Sequence, residues 1–297
     1  PGLVLMLADL PEGAFRLFSS ASPPDAGGLQ AFTALVHANG GSPDLPDQLK
    51  ALSEKTATGY LFGGLSSARN QPLLFADEVQ MDGLCGVAFG PDVPILSRVT
   101  QGCQPIGPKR TITRAEDTYL VTLDHQRALD CALQDLGLEA DISDDEMRDA
   151  LGQTLAGLSI PGEDVSDKPG QFGTNTEVRH LVGVGRKAGV LVVADQLTDG
   201  MQLAFCTRNA EAARADLSRI VAQVRTQAEG SGGMRGALYI SCCGRGGPHF
   251  GKPNAEFEMV RQELGDVPLV GFFAGGEIAR HHLYGYTGVL TVFTEVS

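Results

Sequence analysis

The chain has 297 residues, 42% of them hydrophobic, enough for two domain cores of ordinary size. Its formal net charge is −13 and its basic residues are scattered, with Lys109-Arg110 and Arg186-Lys187 the densest runs, so nucleic acid is not expected as a partner. No apolar run reaches the roughly 18 residues of a membrane span, and the six cysteines form no CxxC pair, reading as reduced cytosolic thiols with no metal site.

The chain opens on Pro1 inside an apolar run, PGLVLML, so residues are expected upstream. Gly2 to Phe18 predicts a β-hairpin around an acidic-Gly turn, Glu12-Gly13. A strand follows at Phe32 to Ala38. A helix at 44–55 has Asp44 as its N-cap candidate, and a Gly-rich strand, GYLFGGLSSA, runs from Gly59 to Ala68. Another strand starts at Gly83. Asp124 to Leu136 and Ser143 to Leu158 predict helices, the second opened by a Ser143/Glu146 capping box. The Gly/Pro/Asp-rich stretch 160–176 predicts a linker or mobile loop.

The order then repeats. GVLVVAD at Gly189 and LTDGMQLAF at Leu197 predict a second hairpin, around Asp199-Gly200, with Gly200 matching Gly13. Asn209 to Glu229 is an amphipathic helix with Leu217, Ile220, Val221 and Val224 at helical spacing. A strand at Ala237 to Cys243, a helix at 254–265 capped by Asn254, GFFAGGEIA at Gly271 and a strand from Gly285 complete the copy. The fold class read from this order is α/β, in the mixed α+β sense: two related sheet-plus-helix modules, pseudo-duplicated, with helices flanking the sheets. The modules are placed at 1–123 and 178–297, joined by a helical connector and loop at 124–177.

Three segments carry a family resemblance. QGCQPIGP at Gln101, with the Thr111-Ile112-Thr113 strand after it, resembles the end of a FIST N-terminal region. GMQLAFCTRNAEAARADL at Gly200, then CCGRGG at Cys242 and PLVGFFAGGEIA at Pro268, resemble a FIST C-terminal region. The resemblance covers nearly the whole chain. It implies a bacterial, cytoplasmic, non-catalytic sensory domain for signal transduction. It also implies a small polar ligand such as an amino acid, and a signalling partner such as a histidine kinase or cyclase. Two alternatives come with it: a haem-bearing nitric oxide sensor, and a protein-interaction scaffold like the substrate-binding half of an F-box relative.

Candidate ligand-binding residues follow from local chemistry. Cys243-Gly244-Arg245-Gly246 leaves a strand and precedes a helix. Such a turn aims N–H groups at an anion, or is a tight turn and nothing more. Gly63-Gly64 and Gly275-Gly276 take matching positions in the two copies, and glycine admits a close backbone or ligand. Glu277 is read either as an acceptor for an amino group or as a solvated acid or helix cap. Cys103 is expected on a turn as a packed thiol, and Cys242 and Cys243 on opposite faces of a strand. His37 and His249, near matching strand-to-loop positions, are the histidines considered for a haem. There is no GxSxG, no HExxH and no readable carboxylate pair, so no catalytic residue is assigned.

Overall fold

The computed structural model describes residues 4–20, 22, 24, 28–66, 72–161 and 176–295. The 160–176 stretch read as a linker lies almost wholly outside the described residues. The chain forms two compact units, one made of residues 1–102 and 213–297 and the other of 103–212. These limits differ from the sequence boundaries at 123 and 178. The latter followed local repeats, whereas compactness follows strand partners distant in the chain.

Among the described residues, the first unit contains two large sheets and one two-stranded hairpin. In the first sheet, β1 (Phe15–Ser19), β6 (Leu84–Phe89), β2 (Thr33–Asn39) and β3 (Leu61–Ser66) lie side by side in that order. The second sheet has β7 (Ile95–Gln101), β20 (Thr287–Thr294), β16 (Met234–Cys242) and β17 (Leu269–Ala274) in the same arrangement. In each, the last two strands are parallel and joined by a helix, α1 (Leu45–Glu54) or α6 (Ala255–Leu264), while the other pairings are antiparallel. Each copy is therefore a βαβ unit widened by two antiparallel strands. A short hairpin, β4 (Leu74–Ala76) with β5 (Glu78–Gln80), follows β3. The hairpin after β17, β18 (Glu277–Ala279) with β19 (His282–Tyr284), crosses over instead: β18 pairs antiparallel with β3 of the other copy.

Side-chain alternation stacks these elements into four layers. Along β2, Ala34, Val36 and Ala38 pack with Leu45, Leu49 and Leu52 of α1. Along β16, Ala237 and Tyr239 pack with Val260 of α6 and with Leu217, Val221 and Val224 of α4 (Ala210–Glu229). The residues between, Leu238 and Ile240, join Phe62, Phe89 and Val289 in a core between the two sheets. Period-2 burial on both faces makes each strand a wall for two apolar layers.

The second unit is a closed barrel. Six antiparallel strands form a ring: β9 (Arg110–Glu116), β10 (Tyr119–Leu123), β14 (Val190–Val193), β13 (Glu177–Gly185), β12 (Leu155–Ser159) and β15 (Gln202–Arg208), with β15 pairing back to β9. Closure removes free edges. Two short strands, β8 (Cys103–Pro105) on β15 and β11 (Gln126–Arg127) on β10, flank the ring. Ile112, Leu120, Leu203 and Phe205 share one core with Leu129, Leu133, Met147 and Leu151 of α2 (Ala128–Leu136) and α3 (Asp144–Gly152).

Several expectations change here. The predicted hairpins are absent: no strand lies among residues 4–14, and β14 and β15 pair with other strands. The strand that stands where β1 stands is β7, not the 197–205 segment, which builds the barrel. The helix over 143–158 stops at Gly152, and residues 155–159, all buried, form β12. A fully buried strand has no alternation, so its apolar run resembles buried helix. The 209–229 helix and both βαβ helices fall where expected, and Ser143 and Glu146 form the reciprocal cap.

Candidate functional site

The parallel strands β16 and β17 end together at one edge of the second sheet, the position where open α/β sheets carry ligands. Three segments meet there. A 3₁₀ turn, Cys243–Arg245, leaves β16 and runs into the short helix α5 (Gly247–Phe250), and α6 starts at Ala255 after Asn254 takes a left-handed conformation (φ +62°). A cavity of about 240 Å³ opens between them. Its polar wall is Tyr239, Ser241, Arg245 and Glu256, and Phe250, Phe257, Phe272 and Phe273 supply the apolar wall.

Arg245 is only 1% exposed. Its Nη1 donates to the Thr100 carbonyl at 3.0 Å, its Nη2 lies 2.8 Å from Glu256 Oε1, and its guanidinium stands 5.3 Å from the Phe250 ring centre. The Nη2 contact lacks hydrogen-bond geometry, and Nε has no acceptor at all. Burial alone pulls the Arg245 pKa down, but Tyr239, Glu256, Glu277 and Asp216 outweigh it and hold the pKa above its ordinary value. Glu256 sits in the first turn of α6, where the helix dipole favours an anion. It accepts from Tyr239 Oη at 2.5 Å and Ser241 Oγ at 2.7 Å. Burial pushes the Tyr239 phenol well above its usual pKa, so it stays protonated and donates. The sequence reading did not single out Glu256, Tyr239 or Ser241. Alternation along ALYISCC carries the only signal for them, because it points Tyr239 and Ser241 to the helix side.

Of the residues singled out in the sequence, Arg245 and Gly246 line this cavity. Lys252, not among them, lines it too, and its Nζ pairs with Glu258 at 2.7 Å. Cys243 is exposed at the start of the turn, and a Cβ on Gly244 would come within 2.9 Å of Tyr286 Cε1. The other five lie at the seam of the two copies. Gly63 and Gly64 are in β3, and β18 begins at Glu277, so Glu277 pairs with Gly64 and Leu65 N–H donates to the Gly276 carbonyl at 2.9 Å. The two Gly pairs are thus neighbours in space, not counterparts. Register makes Gly271 the counterpart of Gly63, since Val36 lies beside Gly63 as Tyr239 lies beside Gly271.

Glu277 is neither a solvated acid nor a helix cap. It is fully buried, Oε2 accepts from Thr287 N at 3.3 Å and Thr287 Oγ1 at 2.8 Å, and Oε1 has no partner. Burial raises its pKa to about 8 against the pull of Thr287, Arg245 and Cys242. Burial, with Glu277 nearby, likewise raises Cys242 to about 11. Cys103 is buried in β8 rather than on an open turn, and Arg110 beside it in sequence is paired with Asp135. His37 lies inside β2, not at its end, its pKa lowered by burial and its ring 5.5 Å from that of Phe272. It borders a second cavity of about 450 Å³, shared with Leu65, Phe75 and Cys85, while His249 is in α5. Among the described residues, no group of three or more His, Cys, Asp or Glu is placed to hold a metal ion, and no helix is long and apolar enough to cross a membrane.

The FIST N domain model matches residues 5–126 and the FIST C domain model residues 128–280. An uncharacterized protein of Mycobacterium tuberculosis is 31% identical over 255 residues, covering 80% of this chain and 60% of its own length. An uncharacterized protein of Mycobacterium bovis is 30% identical over 242 residues, with the same coverage. The chain thus spans about 60% of the length of these relatives. FIST domains are in general sensory domains of signal transduction. With the two models matching in series across most of its length, the chain belongs to the FIST family.

Proposed function

We propose that the chain is a non-catalytic, cytoplasmic input domain that binds a small ligand with a polar head, the class in which amino acids fall. The ligand sits in the cavity at the C-terminal ends of β16 and β17, and its binding is relayed to a signalling protein such as a histidine kinase or cyclase. One observation carries the reading: the cavity sets a buried Arg245–Glu256 pair beside the rings of Phe250, Phe257, Phe272 and Phe273. A concave, largely apolar pocket with a few convergent polar groups is the usual form of a small-ligand site. The glycines and Glu277 at the seam act behind the cavity, as the support of β3 and β18.

Thermal-shift screening of the whole chain against amino acids and other small polar molecules tests this, followed by calorimetry of any hit. Hits should raise the melting temperature of the wild type and not that of Phe257→Trp, whose larger side chain fills the cavity. A folded protein that no compound stabilises would sink the reading.

A further inference from the structure

The two copies differ at one sheet edge. In the first sheet, β18 covers the outer edge of β3, antiparallel, with Ile278 opposite Gly63. Leu61 and Leu65 turn their backbone groups that way: Leu61 N–H donates to the Arg280 carbonyl at 3.2 Å, and Leu65 N–H to the Gly276 carbonyl at 2.9 Å. In the second sheet, β17 is outermost, and among the described residues no strand pairs with its outer edge. Burial follows this difference. Leu61 to Gly64 are buried, whereas Leu269 to Phe272 are half-buried and Phe273 is 50% exposed. Gly271 matches Gly63 in register, so Leu269, Gly271 and Phe273 present N–H and C=O to the open edge. The Pro268 carbonyl fits this alternation, because it accepts from Ala237 N on the β16 side at 2.8 Å. Edges are usually blunted by charge or proline, and β17, LVGFFA, contains neither.

Both faces of this edge are hollow. The 240 Å³ cavity on the helix side includes Gly271, and the 450 Å³ cavity on the inter-sheet side includes His37, Phe75 and Cys85; Phe272 and Phe273 border both. A strand added in the register of β18 sets one side chain, opposite Gly271, over the first cavity and the next, opposite Phe272, over the second. Exposed acids flank the edge: Glu263 and Asp266 just before β17, and Asp77 and Glu78 in the hairpin that carries Phe75. The one basic residue of the helix-side cavity rim, Lys252, is matched by Glu258.

We propose that the outer edge of β17 binds an extended segment of a partner protein, antiparallel, with consecutive apolar residues at its centre and lysine or arginine at its ends. Its main chain meets the outward groups of Leu269, Gly271 and Phe273, alternate side chains enter the two cavities, and the basic ends answer the acids. A second copy of this chain brings the same net charge of −13 and is disfavoured by it. The proposal goes beyond the small-ligand reading and does not depend on it, although a partner side chain and a ligand in the 240 Å³ cavity exclude each other.

Fluorescence anisotropy of the full chain with the labelled peptide KKVIVKK tests this, beside three controls: the same peptide N-methylated at its isoleucine, KKSSSKK and EEVIVEE. KKVIVKK is expected to bind at least tenfold more tightly than each control. Hydrogen exchange on the complex should slow at the amides of Leu269, Gly271 and Phe273. No binding of KKVIVKK to the folded protein overturns the proposal. So does equal binding of the N-methylated or serine peptide, or binding that leaves the three amides unprotected. Equal binding of EEVIVEE overturns the basic partner. Protection of the same amides in the free protein, rising with its concentration, assigns the edge to a second copy instead. Each of these outcomes reads the same whether or not the small-molecule screen gives hits.

Discussion

Gly63 and Gly271 stand at one register position in the two copies, each pressed against the carbonyl of the neighbouring parallel strand. A Cβ on Gly63 would lie 1.8 Å from Val36 O, and one on Gly271 2.2 Å from Tyr239 O. The obstacle is backbone in both cases, so relief requires the strands to part. Gly63→Ala and Gly271→Ala are each expected to cost about 3 kcal/mol or more. Gly275→Ala, with nothing within 4 Å, is expected to change little. Urea denaturation of the three variants checks this, and a stable Gly63→Ala protein would contradict the register.

Removing one member of the Arg245–Glu256 pair leaves the other buried and charged. Arg245→Met is therefore expected to destabilise the protein by about 3–5 kcal/mol. The double variant Arg245→Met/Glu256→Gln should lose clearly less than the sum of the single losses. Additive losses in a double-mutant cycle would show that the two side chains do not depend on each other.

The carboxyl of Glu277 is neutral in the fold up to about pH 8 and would ionise at the ordinary carboxylate value in the unfolded chain. Between those values the folded state holds the extra proton, so this group's contribution to stability falls as pH rises. The fall begins near pH 4.5, with a slope of at most about 1.4 kcal/mol per pH unit, and flattens above pH 8. Glu277→Gln, which is neutral throughout, should gain on the wild type across that window and stop gaining beyond it. Melting temperatures of both proteins at pH 5, 6.5, 8 and 9 measure the difference. A constant gap would mean that Glu277 does not titrate there.

The reciprocal cap of α3 gives a test confined to the barrel unit. Ser143 Oγ accepts from Glu146 N at 3.2 Å, and Ser143 N donates to the Glu146 carboxylate at 3.0 Å. Ser143→Ala is expected to cost about 1 kcal/mol. Hydrogen exchange should show the loss in the amides of 144–152 first.

The parts that could be read from sequence are those fixed by neighbours in the chain. The helices at 45–54, 210–229 and 255–264 have their own periodicity, and the βαβ order has its own rhythm, although neither Asp44 nor Asn254 makes the side-chain cap expected of it. The barrel could not be read, because nothing local in residues 155–159 tells a buried strand from a buried helix, and ring closure joins β15 to β9 across most of the unit. The match of Gly63-Gly64 to Gly275-Gly276 was misled by composition: register ties Gly63 to Gly271, and only strand partners reveal register. At the cavity, Arg245 was visible from its Gly-rich turn, whereas Glu256 was hidden in a helix whose other acids are solvated.

The pairing of β7 with β20 matters for the order in which the protein is made. Thr287 meets Gln101 only after the entire barrel unit has left the ribosome. Until then β7 lacks its neighbour and β3 lacks β18, so two strand edges emerge early and wait. The barrel draws all its strands from 103–212 and can close while they wait. Nascent chains stalled once β15 has cleared the exit tunnel, but before β16 and β20 have, should therefore resist protease in the barrel and remain open to it on either side.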